Sequence, residues 1–190
     1  VLRRQRPDLE LSYRIPVAGE TYRHDAIRLR LPGESAEELF RLLPLFPELW
    51  SVELEEPMAP VDRILALREA FPEITFHFDF ALGDMTVRTD AEEIDISGKY
   101  VEDIARVEAV LPYFPNLKKV VMCGCGISNE VMDSVNCRYK DIRFVWSVYM
   151  GSVLLRTDST YFIPVKWGAQ VTTEDLFNLR YCTDMVCIDI

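Results

Sequence analysis

The stretch LPLFPELWSVEL at residues 43–54 returns as LPYFPNLKKVVM at residues 111–122, an offset of 68 positions. A phrase repeated inside 190 residues reads either as two tandem domains or as turns of one repeating coil. Smaller periods inside the larger one decide between them. At the same offset Ile74 falls on Ile142, Phe76 on Phe144 and Gly83 on Gly151, and Arg88-Thr89-Asp90 falls on Arg156-Thr157-Asp158. Twice the offset carries Ile27, Leu29 and Leu31 onto Ile163, Val165 and Trp167. With one residue of slippage it also brings SAEELFRL (35–42) onto TTEDLFNL (172–179).

Each copy subdivides again. Strand-like runs begin near Leu9, Ile27, Leu49, Ile74, Ile94, Leu117, Ile142, Ile163 and Met185, 18 to 25 residues apart. A strand and its return helix fill one coil of a solenoid in 20 to 29 residues. No Pro/Gly/Ser-rich linker separates the copies, so the tandem-domain reading loses. The expectation is one solenoid domain over 1–190: a partial leading repeat at 1–21, copies at 22–89 and 90–157, and a truncated copy at 158–190.

Between the strands, Leu39, Leu42, Leu43 and Phe46 recur at the spacing of one helical stripe, as do Val107, Val110, Leu111 and Phe114. Ser35 and Glu38 stand at capping-box spacing. A second helix is read through Ile64, Leu67 and Phe71, then through Met132, Val135 and Tyr139. Pro47, Pro72 and Pro115 follow the stripes, where a residue that cannot continue a helix ends it. The repeated Phe-Pro-x-Leu is thus the corner from helix to strand.

In LKKVVMCGCGI, Leu117, Val120, Met122, Cys125 and Ile127 follow the pattern L-x-x-L-x-L-x-x-[N/C]-x-L, and Leu49, Val52 and Leu54 match its first half. The chain resembles the leucine-rich-repeat family, and within it the irregular N-terminal region of large bacterial cell-surface members. LPYFPNLKKVVMCGCGIS, DIRFVWSV and LRYCTDMVCIDI carry that likeness. It implies an α/β fold: a right-handed leucine-rich-repeat-like solenoid of about nine short strands, with a parallel sheet on the concave face and helices on the convex one. It also implies an extracellular or cell-surface location, with a cytoplasmic one left open. Pro57 departs from the pattern where an Asn or Cys should tie down the turn. The chain opens on Val1 and stops at Ile190 in mid-pattern, so a piece of a longer repeat protein is expected.

Composition narrows the function. Hydrophobic residues are 49% and charged residues 27%, ordinary for a folded chain. The net charge of −10 opposes binding to nucleic acid or an anionic membrane. No apolar run is long enough for a membrane span. Five cysteines and two histidines are present. Whole-period shifts place Cys125 and Cys182 inward, Cys123 and Cys187 on the sheet's outer face and Cys137 on the helical side. Cys123 and Cys187 then lie three strands apart, roughly 14 Å, too far for a disulfide. No P-loop, dinucleotide fingerprint or nucleophile elbow occurs. Neither metal nor cofactor is expected, and the chain is read as non-enzymatic.

What remains is a surface. Side chains alternate across a strand, so one row is expected on the concave face: Ser12, Arg30, Glu53, His77, Asp95, Val121, Val145, Lys166 and Asp189. Arg30, Glu53, His77 and Asp95 read as a cross-strand charge ladder, and Val121 and Val145 as an apolar saddle that Tyr149 and Trp167 could rim, although Trp167 maps onto Leu31 and is rather expected to pack inward. The expected function is a binding or scaffold module that offers this row to a protein or glycan. The alternatives are a cap and spacer for further repeats, or an accessory domain of an enzyme encoded elsewhere in a longer chain. The oligomeric state is open at this level.

Overall fold

The computed structural model describes residues 12–32, 36–55, 61–82, 85–168 and 170–189. The expected run at Leu9, the cap at Ser35, Pro57, Gly83, Ile190 and the Trp167 side chain lie outside them. The chain divides into two compact units after Thr89, and each is described by itself.

Unit 1 opens with an antiparallel hairpin, β1 (Arg14–Val17) and β2 (Glu20–Arg23). Its two-residue turn places Ala18 and Gly19 both at positive φ, 49° and 84°, the conformation that matches the twist of a tight hairpin. The chain continues through β3 (Arg28–Pro32), α1 (Ala36–Leu42), β4 (Ser51–Glu55), α2 (Val61–Ala70), β5 (Thr75–Leu82) and β6 (Met85–Arg88). The sheet order is β3-β4-β5-β6; the first three strands are parallel, and β6 returns antiparallel on β5. Leu29, Val52 and Phe76 stand side by side, as do Leu31, Leu54 and Phe78. All six are buried with Leu39, Leu43, Phe46, Ile64 and Leu67 from the helical side. Burying one such side chain contributes about 1.5–3 kcal/mol.

Unit 2 repeats the plan. β7 (Glu93–Asp95), α3 (Ile104–Glu108), β8 (Lys119–Val121), α4 (Asn129–Arg138) and β9 (Arg143–Val145) give a second parallel triplet, with Ile94, Val120 and Phe144 in register. A hairpin follows, β10 (Ser147–Met150) with β11 (Val153–Arg156). Then come β12 (Tyr161–Phe162), α5 (Thr173–Leu176) and β13 (Cys187–Ile188), which pair β12 to β13 in parallel. Asp103 caps α3 and Ser128 caps α4 by accepting first-turn amides. Thr172 and Asp175 form a capping box on α5.

The quoted phrase is a corner in both units. A short 3-10 turn, Leu43–Leu45 or Leu111–Tyr113, ends at a Phe whose amide donates back to the turn's first carbonyl at 3.0 Å. Phe46 and Phe114 have near-identical backbones, φ/ψ of −110°/86° and −115°/78°. A residue before proline is pushed out of the helical region, so the helix ends there. Both rings are buried.

The solenoid expectation is overturned. The strands form several separate sheets of two to four strands in mixed orientation, beside five short α-helices among the described residues, and the four-stranded sheet is itself mixed. The reason is local. In each unit the third parallel strand does not hand over to another helix; its chain runs on and folds back as a hairpin. The hairpins are alike: Arg14 pairs with Arg23, Asp79 with Arg88 and Ser147 with Arg156.

A shared lock closes them. Thr89 donates its amide to Phe78 O at 3.0 Å, and its Oγ1 accepts the Phe78 amide at 3.1 Å. Thr157 and Trp146 repeat this at 2.9 and 3.1 Å. His24 takes the threonine's place against Tyr13, with its amide at 3.1 Å, Nδ1 facing the Tyr13 amide at 3.5 Å and the rings stacked 4.5 Å apart. Thr89 and Thr157 are buried, so each lock satisfies backbone groups that water cannot reach.

Candidate binding surface

The expected row is divided between the units. Arg30, Glu53 and His77 stand abreast on β3, β4 and β5. Around them Arg30 pairs with Glu55, Arg88 Nη1 reaches Glu53 at 3.2 Å, and the Arg28 guanidinium lies 4.5 Å over the Trp50 ring. The Tyr22 hydroxyl on β2 lies 2.6 Å from both Arg30 O and Glu20 Oε2, which share its one proton. Burial, with the Glu20 carboxylate, pushes this phenol up to about 12. This face of unit 1 is polar and half-exposed. Exposed pairs of this kind are worth under about 1 kcal/mol each.

In unit 2 the same row positions are Asp95, Val121 and Val145, again abreast. Here the expectation of an apolar saddle is corrected. Val121 and Val145 are 1% and 0% exposed, so they belong to the core. Lys119 shares their face of β8 and bonds Asp158 at 3.2 Å, and Arg156 sits within electrostatic reach of Asp95. Arg156 grips Asp158 with two nitrogens, both at 2.8 Å. That grip and Lys119 hold the Asp158 carboxyl down at about 2 against partial burial.

Ser12 is exposed at the edge of the described residues, and Asp189 is exposed just past β13. Lys166 is on no strand; it sits in the 3-10 turn Val165–Trp167. The cause is a slip of three residues. Val52, Val120 and Ile188 are spaced by 68, but their parallel neighbours Leu29, Ile94 and Phe162 are spaced by 65 and then 68. The row position on β12 is therefore Ile163, not Lys166.

The cysteines are thiols. Cys125 is buried with its Sγ 3.1 Å from Ile96 O, and Cys182 is buried at the third corner. Burial raises both thiols, Cys182 to about 11. Cys137 and Cys187 are exposed.

Unit 2 also carries a concavity that the strand row did not suggest. A groove of about 590 Å³ runs between the Gly124–Glu130 segment and the outer face of the β10–β11 hairpin. Its base is Trp146, buried, with the indole N–H donating to Asn129 Oδ1 at 3.1 Å. Its rim is Tyr149 and Leu154, partners across the hairpin and 64% and 55% exposed. Ser147 and Glu130 add a hydroxyl and a carboxylate. Glu130 is kept below the usual carboxylate range by its own amide and the Ser128 hydroxyl. The rim is fixed: Asn178 donates to Tyr149 O at 2.8 Å, and Gly151 in the turn has φ 62°, where a Cβ would fall 2.0 Å from Gln170 O. The signal for this wall was in the sequence. MGSV repeats the Gly-bearing two-residue turn of VAGE, which marks a hairpin with one face outward.

Among the described residues, no helix is long and apolar enough to cross a membrane, and no group of three or more His, Cys, Asp or Glu side chains is placed to hold a metal. Searches against protein-family models, curated proteins and solved structures find no match to this chain.

Proposed function

We propose that this chain is a binding module that takes an extended protein or glycan chain into the groove of unit 2. The observation that carries the reading is the Tyr149–Leu154 pair. Two large apolar side chains stand abreast and exposed on a hairpin whose other face is buried, as Val148, Met150 and Leu155 are. A flat aromatic face beside fixed polar groups suits a sugar's C–H face or a peptide side chain. The acidic balance of the chain disfavours polyanionic partners. Ser147, Asn129 and Glu130 would orient the ligand, while Tyr149 and Leu154 supply contact area.

The test is a titration of the whole chain against an array of neutral and basic glycans and of extracellular proteins, with Tyr149→Ala and Leu154→Ser as variants. A partner held by this groove loses at least about tenfold in affinity in either variant, equivalent to about 1.4 kcal/mol, at an unchanged melting temperature. If every partner found binds the variants as it binds the parent chain, the groove is not the site. The glycan and protein arms separate the two ligand types.

A further inference from the structure

Gly124, Cys125 and Gly126 follow β8 and line the groove of unit 2 opposite the hairpin. The two glycines stand at φ 69° and 84°, a region glycine reaches without steric cost. Cys125 turns its thiol inward to Ile96 O, so this wall is bare backbone. A Cβ on Gly124 would meet nothing within 4 Å, whereas one on Gly126 would fall 3.1 Å from the Tyr100 ring. Tyr100 therefore rests on the wall itself, and it is 81% exposed. Its segment is tied down along the same wall. The amides of Ile96, Gly98 and Val101 donate to Val121 O, Cys123 O and Cys125 O at 2.9, 2.8 and 3.0 Å. Ser97 Oγ accepts the Cys123 amide at 3.2 Å. The groove thus has exposed rings on both sides: Tyr149 beside Leu154 on the hairpin, and Tyr100 seated on Gly126.

Its charge is balanced. Among the described residues that line it, Glu130 alone is charged, and Arg180 faces that carboxylate at 4.0 Å. The chain as a whole carries −10. We infer that the groove, taken as the binding site proposed above, holds a neutral oligosaccharide of equatorially linked hexoses, with Tyr100 as the platform for its far sugars. Such a chain has flat C–H faces, which suit exposed aromatic rings, and a rim of hydroxyls, which suit Glu130 and Ser147. A charged ligand would bring a charge that this groove does not answer. An extended peptide draws its affinity from main-chain bonds at a strand edge. The Gly124–Ser128 wall is not a strand, and Tyr149 O on the other side is already taken by Asn178.

The probes are cello- and chito-oligosaccharides of two and six sugars, titrated against the whole chain by calorimetry and, for the disaccharides, by saturation-transfer NMR. The variants are Tyr100→Ala, Tyr100→Phe and Tyr149→Ala. One hexasaccharide is expected to bind, with at least about a tenfold loss in Tyr100→Ala and less than about threefold in Tyr100→Phe, which keeps the ring. The matching disaccharide is expected to bind Tyr100→Ala as it binds the parent chain, while Tyr149→Ala weakens both lengths at an unchanged melting temperature. Loss in Tyr149→Ala with none in Tyr100→Ala overturns the role of Tyr100 and leaves the groove reading standing. No binding of either hexasaccharide overturns the sugar assignment, and a protein partner that still depends on Tyr149 would show the groove to be a peptide site. Hexasaccharide binding that neither alanine variant changes overturns both readings.

Discussion

Unit 1 and unit 2 hold the same three parallel strands in the same register, yet treat the outer face of the sheet in opposite ways. Glu53 and His77 in unit 1 occupy the places of Val121 and Val145 in unit 2. The first two are half-exposed and the second two buried. The hairpins differ in step: Val148 and Met150 are fully buried, while their counterparts Phe80 and Leu82 are only partly so. Arg88 in unit 1 meets a glutamate across this face, whereas Arg156 is turned to Asp158 and Asp95. A repeat therefore conserves backbone path and register without conserving which faces are wet.

The most severe way to break this contrast is to exchange the paired residues. Val121→Glu places a carboxylate in a fully buried site and is expected to cost about 3–5 kcal/mol or to unfold unit 2. The reverse exchange, Glu53→Val, removes only a surface ion pair and is expected to change stability by less than about 1 kcal/mol. Urea unfolding of the two variants checks both, and similar costs would erase the distinction between the faces.

The hairpin lock sharpens what the units share. Thr89→Val and Thr157→Val keep the shape but strand the buried amides of Phe78 and Trp146, at about 1–3 kcal/mol each. The same denaturation series reads this, and one variant being neutral would mean its lock does not hold. His24→Thr installs the motif of the other two hairpins and should leave stability within about 0.5 kcal/mol.

A smaller effect belongs to unit 2 alone. The carboxyl of Asp158 is depressed in the folded chain, to about 2, against about 3.9 when unfolded. Its stabilisation is therefore fully present above pH 4 and drains away as pH falls towards 2. Because the pair is partly solvated, Asp158→Asn should cost only about 1 kcal/mol at pH 7, and its deficit should shrink below pH 4. Melting curves across pH 2–7 test this; a deficit that does not change with pH would place the role of Asp158 outside its charge. The weakest expected effect is at Arg30, where alanine should move stability by no more than about 0.5 kcal/mol.

Much of the local structure could be read from the residues. Seven of the expected runs, those near Ile27, Leu49, Ile74, Ile94, Leu117, Ile142 and Met185, lead into strands, whereas the run expected from Ile163 gives a 3-10 turn with its strand just before it; the stripes through Leu39 and Val107 carry helices. The Phe-Pro corner is where the pattern put it. The global fold could not be read this way, because the 68-residue offset matches equally well whether a third strand leads to a further coil or to a hairpin. The Gly-bearing turns and the repeated Arg-Thr-Asp were visible but had no role in a solenoid. Burial on both faces was visible too. VVMC (120–123) and FVW (144–146) are uninterrupted apolar runs, unlike the alternating SVELE and TFHFDF, and uninterrupted runs are the mark of a parallel strand covered on both sides. Reading them as alternating placed Val121 and Val145 on the surface. The groove was missed for another reason: it is built by a hairpin wall and a helix start that are distant in sequence.

The central claim is that Val121 and Val145, on the outer face of the unit 2 triplet, are interior. Its most direct test is relaxation of assigned methyl NMR signals by a soluble paramagnetic agent. Leu154 serves as the exposed reference and Val120 as the buried one. The account predicts that Val121 and Val145 methyls are shielded like those of Val120. Relaxation of Val121 and Val145 as strong as that of Leu154 would contradict it.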